Sequence, residues 1–188
     1  MSSVRILFFA SLCCYMLQAC QTRTTTDATA VDSTRIGSTD APPTAVQLTD
    51  RLTNLGLTTD SDWRGISLGD AFSTVKGKEK GEPFESDAEH AGYTVEFSNL
   101  ESADVLYYQT NQNVSAIDAD LYLNTKQSAE AHQTDLRAYF TSRYGMPKPA
   151  NGGLSWSASG KTVTLRDVSK GKDYGLKISI VGGEFRGR

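Results

Sequence analysis

Apolar positions along the chain fall into three regimes. Ile6 to Leu17 (ILFFASLCCYML) is a 12-residue apolar run without a formal charge, Gln21 to Gln47 contains no aromatic residue and no Leu, and from Leu48 onward apolar residues recur with helical or strand periods. In the third regime Leu48, Leu52 and Leu55 stand at helical spacing ahead of Gly56, which predicts a short helix with a glycine stop. Ser67 and Asp70 have the spacing of a capping box. They predict a helix start with Phe72 and Val75 on its apolar face, ended by Gly77 and Gly81-Glu82-Pro83. Two-residue alternation then marks strands over 93–97, 105–109 and 114–123, with Asn111-Gln112-Asn113 as a hairpin turn.

The order then repeats. Asn124 with Gln127 predicts the cap of a longer helix running to Tyr144 and stopped by Gly145 and Pro147. Ala129, Leu136, Tyr139, Phe140 and Tyr144 form its buried stripe. Strands follow over 154–158, 161–168 and 174–181, punctuated by Ser159-Gly160 and by Lys170 to Asp173. A helix followed by three strands, occurring twice, argues for an α+β fold. Its expected form is a two-layer sandwich with an antiparallel sheet on one side and helices on the other, compatible with duplication of an αβββ unit.

The first regime is too short to span a bilayer, since 12 helical residues rise only about 18 Å against a hydrocarbon core of about 30 Å. With Arg5 before it, the run has the form of a signal peptide. The four residues that follow, Leu17-Gln18-Ala19-Cys20, resemble the lipobox of bacterial lipoproteins. That resemblance implies cleavage after Ala19 and lipidation of Cys20. The chain would then divide into a signal peptide at 1–19, a tether at 20–47 and a single domain at 48–188. The tether, with eight Thr, two Ser and Pro42-Pro43, cannot bury enough apolar area to order itself, and as a flexible coil it reaches roughly 25–30 Å. In lipoproteins of the kind this segment resembles, an acidic run after the lipidated cysteine goes with surface display. Gln21 to Thr26 carries only Arg23, so the resemblance implies a location at the outer membrane of a bacterial cell envelope, facing the periplasm.

Charge and cysteine content narrow the function classes. The net charge is −3, and −4 once Arg5 is lost, so nucleic acid is not expected as a partner and the lipid, not charge, would supply membrane attachment. Cys13, Cys14 and Cys20 all lie at or before position 20, outside the domain. No disulfide, thiol chemistry or Cys-ligated metal is therefore expected in the domain, and no cofactor.

Gly65-Ile66-Ser67-Leu68-Gly69-Asp70 leading into a short helix, Tyr144-Gly145-Met146-Pro147 ending the longer one, and hairpins after each resemble the small two-layer domains of the β-lactamase-inhibitor-protein-like kind, which include the BamE/SmpA outer-membrane assembly lipoproteins. The likeness covers residues 63–181. It implies a fold class and a lipid-anchored setting, and carries over no functional residue.

Candidate chemistry is sparse. Ser73-Thr74-Val75-Lys76 has the S-x-x-K spacing of penicillin-binding serine enzymes but lacks their companion motifs, which leaves a solvent-facing helix. Gly160-Lys161-Thr162 lacks the earlier glycine of a phosphate loop and reads as a β-turn. Asp118 and Asp120 share a strand face about 7 Å apart, a spacing compatible with paired carboxylates in sugar hydrolysis; the simpler expectation is exposure to solvent, opposite the apolar face of Ile117, Ala119, Leu121 and Leu123. His132 with Asp135 supplies at most two metal ligands on a surface helix, and His90 lies in a polar loop, so no metal site is expected. Tyr107 and Tyr108 are adjacent on a strand, so at least one should lie on the open sheet face; with Trp156 they are the candidate binding residues. The expectation is a non-catalytic protein-binding or envelope-assembly module, its partner another envelope protein. Alternatives are an inhibitor or immunity lipoprotein using the acidic segment Glu82 to Gly92, or a glycan hydrolase using Asp118 or Asp120.

Overall fold

A computed structural model describes residues 48–183. The apolar run, Cys20 and the tether lie outside the described residues. The fold is mixed α/β, with one eight-stranded antiparallel sheet and a few helices. No helix among the described residues is long and apolar enough to cross a membrane.

Helix α1 (Asp50–Asn54) starts at Thr49, whose hydroxyl accepts the Leu52 N–H at 3.3 Å. It buries Leu52 and Leu55 but leaves Leu48 exposed. The Ser67–Asp70 pair closes a turn instead of opening a helix. Asp70 Oδ2 accepts the Ser67 N–H at 3.0 Å, and the Asp70 N–H returns to the Ser67 carbonyl at 3.1 Å. Helical geometry begins only after Ala71, as a 3-10 turn at Phe72–Thr74 that runs into α2 (Val75–Lys78). Helix α3 (Lys126–Tyr144) is capped by Thr125, one residue beyond the expected Asn124, with the Thr125 hydroxyl accepting the Ser128 N–H at 3.0 Å.

The six expected strands form, at somewhat different ends, and two very short ones join them. In chain order they are β1 (Glu85–Ser86), β2 (His90–Glu96), β3 (Ser102–Thr110), β4 (Asn113–Leu123), β5 (Lys148–Ala150), β6 (Gly153–Ala158), β7 (Lys161–Asp167) and β8 (Tyr174–Gly182). The sheet order is β1-β2-β3-β4-β8-β7-β6-β5, so the two consecutive quartets meet where β4 pairs with β8. Two-residue turns with positive φ connect several hairpins: Asn111-Gln112 between β3 and β4, Asn151-Gly152 between β5 and β6, and Ser159-Gly160 between β6 and β7. Their backbone twist matches that of the strands they join. The edge strands β1 and β5 are two and three residues long, and β5 contains Pro149, features that blunt edge-to-edge pairing.

One face of the sheet carries the core. Val105 and Tyr107 of β3, Ile117 and Leu121 of β4, Val163 and Leu165 of β7 and Leu176, Ile178 and Ile180 of β8 are all at most 1% exposed. Against them pack Leu136, Tyr139 and Phe140 of α3, together with Trp63 and Ile66 from the segment between α1 and α2. Period-2 patterning on the sheet thus meets 3.6-residue patterning on α3, which is what buries both apolar faces at once.

Candidate functional site

The side chains of opposite parity form a second sheet face whose residues are mostly half-exposed. Its rows follow from the strand registers. One runs from edge to edge as Glu85, Gly92, Leu106, Asp118, Ser179, Thr164, Ser155 and Lys148. The next reads Thr94, Asp104, Asp120, Lys177, Arg166 and Gly153. On either side lie His90, Tyr108, Ala116, Val181, Thr162 and Ser157, and then Glu96, Ser102, Tyr122 and Gly175.

Charge divides this face at the β4–β8 junction. On this face strands β1 to β4 carry Glu85, Glu96, Asp104, Asp118 and Asp120 with no Lys or Arg, whereas β5 to β8 carry Lys148, Arg166 and Lys177 with no acid. At the junction Lys177 Nζ lies 3.0 Å from Asp120 Oδ2. Asp104 stands directly opposite Asp120 and accepts the Thr94 hydroxyl at 2.7 Å. Among the described residues Asp104, Asp118 and Arg166 have no ion-pair partner within 4.0 Å.

Aromatic side chains also concentrate on the acidic half. Tyr108 lies over His90 with ring centroids 5.6 Å apart, and His90 sits between Glu85 at 3.1 Å and Asp87 at 3.0 Å. The Phe84 ring covers Gly92, where a Cβ would meet it at 2.5 Å; only glycine leaves that space. Tyr122 and Phe84 are 52% and 50% exposed, a large apolar area to leave in water. Burial, and then the carboxylates of Asp118, Glu85 and Asp120, hold the Tyr108 phenol above its ordinary range. Burial followed by Asp104 and Asp120 does the same for Tyr122. Both phenols therefore stay protonated as hydrogen-bond donors across neutral pH.

The expected site residues separate. Tyr108 is on the open face, as the adjacent-tyrosine argument requires of one of the pair. Tyr107 and Trp156 are corrections: both are core residues. The Tyr107 hydroxyl donates to the Glu79 carboxylate, which also accepts Arg64 Nε at 2.9 and 3.0 Å. Trp156 packs on Phe140 at 5.4 Å and donates its indole N–H to Thr141 Oγ1 at 3.2 Å. Strand parity decides both cases, because Trp156 pairs with core residue Val163 and Tyr107 with core residue Ile117. Burial raises the Tyr107 phenol strongly, with Glu79 adding to it.

His132 is not on a surface: it is 5% exposed, its Nδ1 lies 2.9 Å from the Ser128 carbonyl, and its ring stacks near Phe97. Asp135 turns away from it to accept from Arg51 and Thr49. His90 is a strand residue, not a loop residue. Ser73 and Lys76 are exposed. Lys161 sits at a β-turn as expected, yet it lies 2.6 Å from the buried Asp62 carboxylate, a contact across 99 residues of sequence. The segment Glu82 to Gly92 is drawn into the β1–β2 hairpin instead of projecting as a loop.

Asp118 and Asp120 line none of three surface clefts, of about 590, 610 and 720 Å³. The first lies between α3 and the β5–β6 turn; the others share the Gly160 and Gly182 end of β6 to β8. Among the described residues no group of three or more His, Cys, Asp or Glu side chains is placed to hold a metal ion. Sequence reasoning missed Asp104, Arg166 and Lys177 as members of the face. The signal for them was present: once strands are assigned, the first quartet is seen to lack Lys and Arg altogether. No protein-family model matches this chain, and neither curated proteins nor solved structures give a significant match.

Proposed function

We propose that this chain is a lipid-anchored lipoprotein of the bacterial cell envelope, held at Cys20 and facing the periplasm, whose domain is a non-catalytic protein-binding module. The fold belonging to this reading is a two-layer α+β sandwich built from two αβββ units, which the mirrored strand order around β4 and β8 supports. The observation that carries the binding assignment is the open sheet face. It presents exposed Phe84 and Tyr122 and half-exposed Tyr108 beside charges of segregated sign, the combination of apolar anchors and electrostatic steering that protein interfaces use.

The experiment is in-cell crosslinking of the tagged full-length chain, followed by membrane solubilisation, capture and mass spectrometry. A protein captured in stoichiometric amount, lost on Tyr108→Ser with Tyr122→Ser and reduced when Cys20→Ala removes the anchor, is the expected result. If verified capture yields no protein at all, a second copy included, the binding module is the wrong reading.

A further inference from the structure

We propose that the occupant of the open face is a second copy of the same chain, packed face to face about a two-fold axis that runs parallel to the strands between β4 and β8. This rests on the binding-module reading and names its partner.

The registers make the face self-complementary in one orientation. A two-fold along the strands lays the β1–β4 half of one copy over the β5–β8 half of the other, residue row on residue row. Asp104 then meets Arg166 of the second copy, and the Asp120–Lys177 pair doubles into a four-charge cluster at the axis. Asp104 and Arg166, like Asp118, Glu96 and Lys148 of this face, have no ion-pair partner within 4.0 Å among the described residues of one copy, and Asp104 and Arg166 are the two that this axis brings together. A two-fold perpendicular to the strands would instead stack acid on acid and base on base, so charge selects the axis.

Side-chain size gives the same answer independently. Leu106 lies in the register position that mirrors Thr164, Tyr108 mirrors Thr162, and Tyr122 mirrors Gly175. Large groups of one copy therefore fall over small groups of the other. Gly175 is close to its own neighbours as well: a Cβ there would approach the Leu121 carbonyl oxygen at 2.9 Å.

The area suffices. The four rows hold 24 positions, which at about 4.8 Å between strands and about 6.7 Å between rows cover roughly 800 Å² per copy, the size of a standard specific interface. Aligned sheets pack about 10 Å apart at about 30°, which brings the pairs nearest the axis into contact and leaves the outer Glu85 and Lys148 at the rim.

Sedimentation velocity of the full chain in detergent, from about 1 to about 100 µM, tests this. The expected species is a dimer. Asp104→Arg alone and Arg166→Asp alone should each weaken it by at least about tenfold, and the double exchange should bring it back to within about threefold. Raising salt from about 50 to about 500 mM should also weaken the unaltered dimer, a measurement that needs no variant to fold. A monomer throughout, or a dimer indifferent to both reversals and to salt, overturns the proposal. Monomers that still capture a different envelope protein through Tyr108 overturn the second copy and leave the binding module standing.

Discussion

Tyr107 and Tyr108 are neighbours in sequence and opposites in structure. The first lies on the sheet face that α3 and Trp63 help close, is wholly buried and donates to Glu79; the second lies on the open face against His90. The comparison extends to the whole sheet. On the closed face position is fixed by packing, and almost every side chain is aliphatic or aromatic. On the open face it is fixed by charge, with acids on one quartet of strands and bases on the other. Packing and segregated charge are therefore written on alternate residues of the same strands.

The largest effect should come from treating the two tyrosines alike. Tyr107→Ser removes a buried ring and leaves the buried Glu79 with Arg64 alone, which should cost about 3–5 kcal/mol. Tyr108→Ser should cost about 1 kcal/mol or less. Denaturant unfolding of the two variants measures this directly, and equal losses would show that the faces are not energetically distinct.

Alkaline pH probes the closed face without a substitution. Burial raises the phenols of Tyr107 and Tyr139, and that of Tyr144 to about 12. The folded chain then keeps protons that the unfolded chain gives up near pH ~10. The sign follows: this stabilisation is complete below about pH 10 and is lost as pH rises through the higher folded values. The melting temperature should fall from about pH 10 upward, and less steeply in Tyr139→Phe. A melting temperature flat to about pH 11.5 would contradict the buried-phenol account.

Much of the fold was legible because it is periodic. Alternation located the six longer strands, and the 3.6-residue stripe located α3, including all of its fully buried residues except His132. Periodicity could not find β1 or β5, which are two and three residues long and exist only as partners of β2 and β6. Nor could it say which of two adjacent tyrosines faces inward, because parity has no sign until a neighbouring strand is placed. The capping-box spacing of Ser67 and Asp70 was real as a hydrogen bond and misleading as a helix start: Gly69 adopts positive φ, and its N–H goes to the Val114 carbonyl, not into a helix. For the candidate face, Asp118 and Asp120 were readable from strand alternation, and Tyr108 only as one of a pair. Asp104, Arg166 and Lys177 became meaningful only when β4 and β8 were brought side by side.

Two lysines give the finest test of the contrast, since each forms one ion pair and the pairs lie on opposite faces. Lys161 reaches the Asp62 carboxylate at 2.6 and 2.8 Å; that carboxylate is 1% exposed and also accepts the Leu68 N–H at 2.8 Å. Replacing Lys161 with Met leaves a buried anion without its counter-charge, and because the lysine itself is 28% exposed the cost is expected at about 1–3 kcal/mol, below that of a fully buried pair. Lys177 reaches Asp120 at 3.0 Å, with both side chains 31% exposed. Here water screens the pair, and Lys177→Met in the monomer should cost no more than about 1 kcal/mol, part of it from leaving Asp104 and Asp120 opposed across β3 and β4. Thermal unfolding of both variants under dilute, high-salt conditions compares them with association suppressed. A loss for Lys177→Met equal to that for Lys161→Met would mean that the charges of the open face contribute to folding as much as those of the closed face, and the division between the two faces would have to be abandoned.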